Sequence, residues 1–186
     1  MKLFNRPRRR EATFQFSDEG PHITDSGKRT EFASGAVRDT QEGKGRCDLL
    51  PLDIVADCYA REFGTEDSAC KIFQYMYGFT QDGDPVWLFY ALEEFLGEAY
   101  DGKWSALFLE VAIHFEEGAK KYAERNWEKG IPLQRFVDSA CRHYLKWLRG
   151  DKDEPHDRAF CWNLLAGMWT CEHRPELNTY GKEGEV

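Results

Sequence analysis

Residues 150–157, Gly-Asp-Lys-Asp-Glu-Pro-His-Asp, crowd the carboxylates of Asp151, Asp153, Glu154 and Asp157 around His156. Capping and the helix dipole account for one or two acids near a helix start. A set this dense suggests oxygen ligands for a divalent cation. A second acidic pair, Glu116 and Glu117, lies further back in the chain. At about 100° per residue, Glu116 falls at the flank of an apolar helix face, where a carboxylate could be half-buried and hold a hard cation. The competing reading of this pair is a solvated face of ion pairs. His143 projects at the edge of another apolar stripe, beside the i,i+4 partners Asp138 and Arg142; it reads as a hydrogen-bonded core histidine, a ligand or a base. Basic residues fall in two places: Arg38, Lys44 and Arg46 in an early glycine-bearing loop, and Lys120 and Lys121 at a helix end. Gly43 and Gly45 free the loop to curl around an anion, although Gly-Lys-Gly is too short for a Walker motif. Together the two sets resemble what phosphate chemistry requires. Carboxylates would hold Mg2+ or Mn2+, which neutralises phosphate oxygens and acidifies a water, while Lys and Arg bind the remaining charge.

The elements that must position these groups are helical. Leu52, Val55, Ala56, Tyr59 and Phe63 recur at three- and four-residue steps, as do Ala69, Ile72, Phe73 and Met76, then Leu88, Phe89, Leu92, Phe95 and Leu96. Gly64, Gly78 and Gly83-Asp84-Pro85 punctuate these runs, which predicts three short helices. Longer amphipathic helices follow at about 103–124, 132–149 and 156–172. The last is apolar almost all round, so it belongs at the centre. Its polar residues, His156, Asn163 and Thr170, share one side, as a structural network or as the wall of a ligand pocket. No alternating strand pattern stands out, and the fold class expected is all-α, a helical bundle. Residues 1–33 predict a mobile or extended arm on composition. The rest, 34–186, is then a single domain.

The 186 residues carry a net charge of −8 and are 41% hydrophobic and 15% aromatic. That is too rich in aromatics for a chain disordered throughout. The acidic balance argues against a duplex-DNA partner, and no apolar run reaches the ~18 to 20 residues that cross a bilayer. These features imply a soluble cytoplasmic protein without a membrane partner. Six cysteines without a CxxC pair indicate reduced thiols. The aromatics of the short helices exceed what one small bundle covers, which predicts a homo-oligomer.

Three segments, SGAVRDTQEGKGRCDLLPL (34–52), FEEGAKKYAERNWEKGIP (115–132) and DSACRHYLKWLRGDKDEPHDRAFCWNLL (138–165), resemble the phage and prophage family named for the N-terminal domain of dATP/dGTP diphosphohydrolase. That family is related to the all-α MazG-like nucleotide pyrophosphohydrolases. The resemblance implies a MazG-like bundle, with 53–109 as a helical insertion. It implies hydrolysis of a (deoxy)purine nucleoside triphosphate to monophosphate and pyrophosphate with Mg2+ or Mn2+, in host cytoplasm if the chain is phage-encoded. On this reading Glu116, Glu117, Asp151, Glu154 and Asp157 are the pool of metal ligands. Glu116, His143 and His156 are catalytic. Lys44, Arg46, Lys120, Lys121 and Arg142 hold phosphates, and Asn126, Trp127 and Asn163 contact the rest of the nucleotide. One departure stands out. MazG-like enzymes carry E-E-x-x-E on one helix, whereas here Glu116-Glu117 is followed by Gly118-Ala119-Lys120. The missing acid keeps open a second expectation, a non-catalytic module that binds or sequesters a nucleotide, or a phage interaction protein.

Overall fold

The computed structural model describes residues 27–181. The expected arm lies outside the described residues as far as residue 26. Six α-helices dominate, as the periodicity predicts: α1 (Leu52–Phe63), α2 (Ser68–Asp82), α3 (Val86–Ala99), α4 (Trp104–Tyr122), α5 (Leu133–Arg149) and α6 (His156–His173). Local chemistry sets their ends. The Asp67 side chain accepts from the Ala69 N–H at the start of α2, and Gly83 closes that helix in the left-handed conformation. Among the described residues no helix is long and apolar enough to cross a membrane, and all six cysteines are free.

One element departs from the helical expectation. Before α1 the chain forms a small antiparallel ladder, β1 (Arg29–Glu31) with β2 (Val37–Asp39), in the register Arg29–Asp39, Thr30–Arg38 and Glu31–Val37. Three-residue strands of mostly polar composition are too short to display a period of two, which is why the pattern hid them. The hairpin depends on tertiary bonds. Val37 donates its N–H to Asn126 Oδ1 at 2.9 Å, and Asn126 Nδ2 donates to the Val37 carbonyl at 2.7 Å.

Helix α6 is central, packed by α3, α4 and α5, while α2 is flanked by α1 and α3. The approach to α3 is tight at Gly167, where a Cβ would lie 3.1 Å from Leu88 Cδ1. Phe95 on α3 joins the layers, with ring centroids 5.8 Å from Tyr144, 5.0 Å from Trp147 and 4.8 Å from Phe160. Each such buried side chain contributes about 1.5–3 kcal/mol. Thr170 is spoken for inside its own helix, donating to the Ala166 carbonyl at 2.8 Å, so that part of the polar stripe is structural.

The link between α5 and α6 places the acidic segment. Gly150, at φ 87°, donates to the Lys146 and Trp147 carbonyls and ends α5. The chain turns through residues 151–155, and Pro155 leads into α6. The last turns of α5 therefore lie beside the first turn of α6, which brings His143 to His156.

Candidate functional site

A cavity of about 840 Å3 opens between β2 with its following loop, the C-terminal half of α4, the turn after it, α5 and α6. That volume lies within the usual range for small-molecule sites, about 300–1,000 Å3. Phe115, Tyr122, Trp127 and Trp162 give it aromatic wall, and Arg38, Lys44, Arg135, Arg142 and Lys146 bring positive charge. None of its lining residues comes from 53–109.

At one end two guanidiniums meet. Arg38 lies over the rings of Phe136 and Trp162, each centroid 5.3 Å from its Cζ. It donates to Asn163 Oδ1 at 2.5 Å and to the Arg135 carbonyl at 3.3 Å. Arg135 in turn donates to Gln41 Oε1 and to the Asp39 carbonyl. Among the described residues neither guanidinium pairs with a carboxylate. Burial, then the charges of Arg135 and Arg142, pull the Arg38 pKa down to about 10, so the group stays charged at neutral pH. Burial lowers Arg135 as well, with Arg142 adding to it against Asp138.

The neighbouring cations are paired. Arg142 donates to Asp138 Oδ2 at 2.7 Å, while Asp138 Oδ1 accepts the Cys47 N–H at 2.7 Å. Burial works to raise the Asp138 pKa, and the Arg142 hydrogen bond and charge outweigh it, holding the carboxyl below its ordinary value. Asp39 is likewise held low against burial, by hydrogen bonds from Lys121 (2.8 Å) and Tyr122 (2.8 Å) and by their neighbour Lys44. Deeper in the wall, His114 packs on Trp162 and its Nδ1 has no hydrogen-bond partner among the described residues. Burial first, then Arg158, Arg38 and Lys121, push its pKa to about 3, so its ring is neutral.

The other end carries imidazoles. His143 Nδ1 and His156 Nδ1 face each other at 3.0 Å, and Glu154 Oε1 lies 3.7 Å from both. His156 Nε2 donates to Asp153 Oδ1 at 2.8 Å, and Lys146 Nζ donates to Asp153 Oδ2 at 2.7 Å. Burial, reinforced by Arg142, places the His143 pKa well below that of a free histidine.

Of the residues expected from the sequence, Lys44, Glu116, Asn126, Trp127, Arg142, His143, Glu154 and Asn163 line this cavity, and His156 backs it. Their roles are not equal. Asn126 is engaged by the Val37 backbone. Glu116 stands exposed at the rim with Lys120 as its i,i+4 partner. Lys121 neutralises Asp39. The remaining residues point elsewhere. Arg46 pairs with Asp48, Asp151 with Arg149, and Glu117 lies 3.5 Å from Arg158. Asp157 faces Glu110 and Tyr100, whose pKa values burial raises first and the Asp157 charge raises further. The five expected acidic ligands therefore do not converge as one set. Two smaller groups among the described residues could hold an ion: His143 with Glu154 and His156, and Asp151 with Asp153 and His156.

Arg135, Asp39 and His114 escaped the sequence reading. A signal for Arg135 was present, because Arg135, Asp138, Arg142 and Lys146 recur at helical spacing and share one face of α5. Asp39 and His114 gave none, since their importance comes from what folds against them.

With this geometry in hand, the comparisons bear out the resemblance. Residues 103–180 match the family described as dATP/dGTP diphosphohydrolase, N-terminal. The match takes in α4, α5 and α6 and begins after the 34–52 loop. No curated protein and no solved structure matches the chain.

Proposed function

We propose, from the diphosphohydrolase family match over α4–α6, that this chain is a metal-dependent hydrolase. It would convert a purine deoxynucleoside triphosphate to its monophosphate and pyrophosphate. The observation that carries the reading is the pair Arg38 and Arg135, two partly desolvated guanidiniums that find only neutral oxygens in a cavity of nucleotide size. Such a pair asks for an anion, and a guanidinium fork suits phosphate oxygens. Arg38, Arg135 and Lys44 would hold the phosphate chain, with Arg142 helping from its bond to Asp138. Trp127 and Phe115, 5.4 Å apart between centroids, offer a face for the base.

Hydrolysis at the α-phosphorus requires water to enter opposite the pyrophosphate leaving group, with the bond from phosphorus to the bridging oxygen breaking. His143 and Glu154 line the same cavity as the guanidiniums, and either can accept a hydrogen bond from that water. The donor set at this end, Glu154 with His143 and His156, also fits a divalent cation of the kind the family suggests, and of the two expected ions it suits Mn2+ better than Mg2+. When bound, the ion supplies neutralisation of phosphate oxygens and a more acidic water. Exposed Phe89, Phe108 and Leu109 support a homo-oligomer, and 53–109 serves as an insertion that builds the bundle without entering the cavity.

The test is pyrophosphate release from each of the four deoxynucleoside triphosphates and GTP, with Mg2+ and with Mn2+. Turnover is expected with purine deoxynucleotides. Absence of turnover under every condition defeats the reading. Tight nucleotide binding unaffected by a chelator, without turnover, would replace it with sequestration by the guanidinium end alone.

A further inference from the structure

The histidine end of the cavity has a chemistry that differs from an all-carboxylate magnesium site. His156 is almost wholly buried, while His143 and Glu154 are largely so, with 12% and 15% of their side chains exposed. Asp153, itself held by Lys146, accepts the Nε2 proton of His156. That bond fixes the tautomer and leaves the Nδ1 lone pair of His156 aimed at His143. An outer carboxylate orienting a histidine in this way is the usual support of a metal ligand. Ligand atoms about 2.1 Å from a shared ion lie roughly 3.0–3.4 Å from one another, and the two Nδ1 atoms are 3.0 Å apart. Glu154 Oε1, at 3.7 Å from each, needs only a small side-chain adjustment.

We propose that His143, His156 and Glu154 form a site for one borderline transition cation, Mn2+, Co2+ or Zn2+, in preference to Mg2+. Two imidazoles and one carboxylate suit such ions, whereas Mg2+ favours oxygen ligands and retains several waters. The other candidate group would require His156 Nε2, which already donates to Asp153, and Asp151, which Arg149 grips through both carboxylate oxygens. Without the ion, His143 Nδ1 carries a proton and donates it to His156 Nδ1. On binding, that proton transfers through solvent to His143 Nε2, so the imidazoles release no net proton. The inference deepens the hydrolase reading and rests on it only for the ion's purpose.

The test uses the full chain stripped of metal and titrated with Co2+ in the absence of nucleotide. A visible ligand-field band should saturate at one ion per chain. Zn2+ should abolish it at comparable concentration and Mn2+ in about hundredfold excess, while Mg2+ in the same excess should not. Asp153→Asn, at a half-exposed position, should weaken Co2+ binding about 10–100-fold. His143→Gln and Glu154→Gln should weaken it by at least as much, with circular dichroism verifying the fold. The site is overturned by the absence of a band, by a band unchanged in Asp153→Asn and Glu154→Gln, or by equal displacement with Mg2+. Turnover with Mg2+ by a chain that binds no Co2+ keeps the hydrolase reading and removes this site. Co2+ binding without any turnover does the reverse.

Discussion

The two ends of the cavity solve opposite problems with charges of opposite sign. At the Arg38–Arg135 end, cations are half-desolvated against aromatic rings and meet neutral carbonyl and amide oxygens, so the protein supplies positive charge without answering it. At the His143–His156 end, imidazole nitrogens and one carboxylate face one another, so the protein supplies electron pairs. Arg142 and Asp138 lie between, each satisfying the other. The contrast teaches that overall composition is a poor guide to a site. A chain of net charge −8 presents a locally cationic surface because β2 and α5 bring a few guanidiniums into a place of low dielectric, where their field is poorly screened.

Breaking the divider should have the largest effect. Asp138→Ala leaves Arg142 buried without its partner and frees the Cys47 N–H, at an expected cost of about 3–5 kcal/mol in stability by chemical denaturation. The sign with pH follows from the depressed carboxyl. The stabilisation from Asp138 is fully present above the unfolded value, about 3.9, and is lost as the pH falls through the lower folded-state value. Melting temperature measured against pH should therefore fall less steeply on acidification in Asp138→Asn than in the parent chain, and parallel curves would contradict the assignment.

A smaller loss, confined to one end, is expected from Arg135→Met. Charge-assisted hydrogen bonds contribute about 1.5–3 kcal/mol, so nucleotide affinity measured by calorimetry should fall about tenfold to a hundredfold. Co2+ binding at the histidine end should be unchanged. If both fall together, the two ends are not separable and the comparison fails.

The smallest effect sharpens the contrast between the expected acids. Glu154→Gln should suppress pyrophosphate release severely, whereas Glu116→Ala should change the rate by less than about twofold, since exposed i,i+4 pairs with lysine contribute little. Comparable losses in the two variants would return Glu116 to the catalytic set.

How much of this was readable in advance differs between elements and site. The six helices follow from periodicity because each buries a face through residues of its own segment: Ile72, Phe73 and Met76 announce α2 by spacing alone. The acidic turn at 151–154 was visible as a dense cluster, and Gly150 with Pro155 marked the helix ends around it. Glu116, by contrast, reads as a half-buried metal ligand from its place on the helical wheel. A wheel gives direction from one axis and does not say which neighbour faces it; here solvent and Lys120 do. Asn126 shows the same limit. The family resemblance implies a nucleotide contact for it, yet its amide is taken by the backbone of Val37, a partner 89 residues away in a strand too short to see.

The amino-acid sequence by itself determined the all-α class, the approximate ends of α4, α5 and α6, and the presence of both phosphate-seeking cations and cation-seeking acids, because these depend on short-range spacing and residue chemistry; the break expected at Gly78 is absent, since α2 runs through it. Only the tertiary structure decided which of those groups meet. It tied Asp39, Asp138 and Glu116 to cations, left Arg38 and Arg135 with neutral partners, and set His143 against His156 across a turn. Pairing energy depends on distance and local dielectric, and neither exists until the helices have packed.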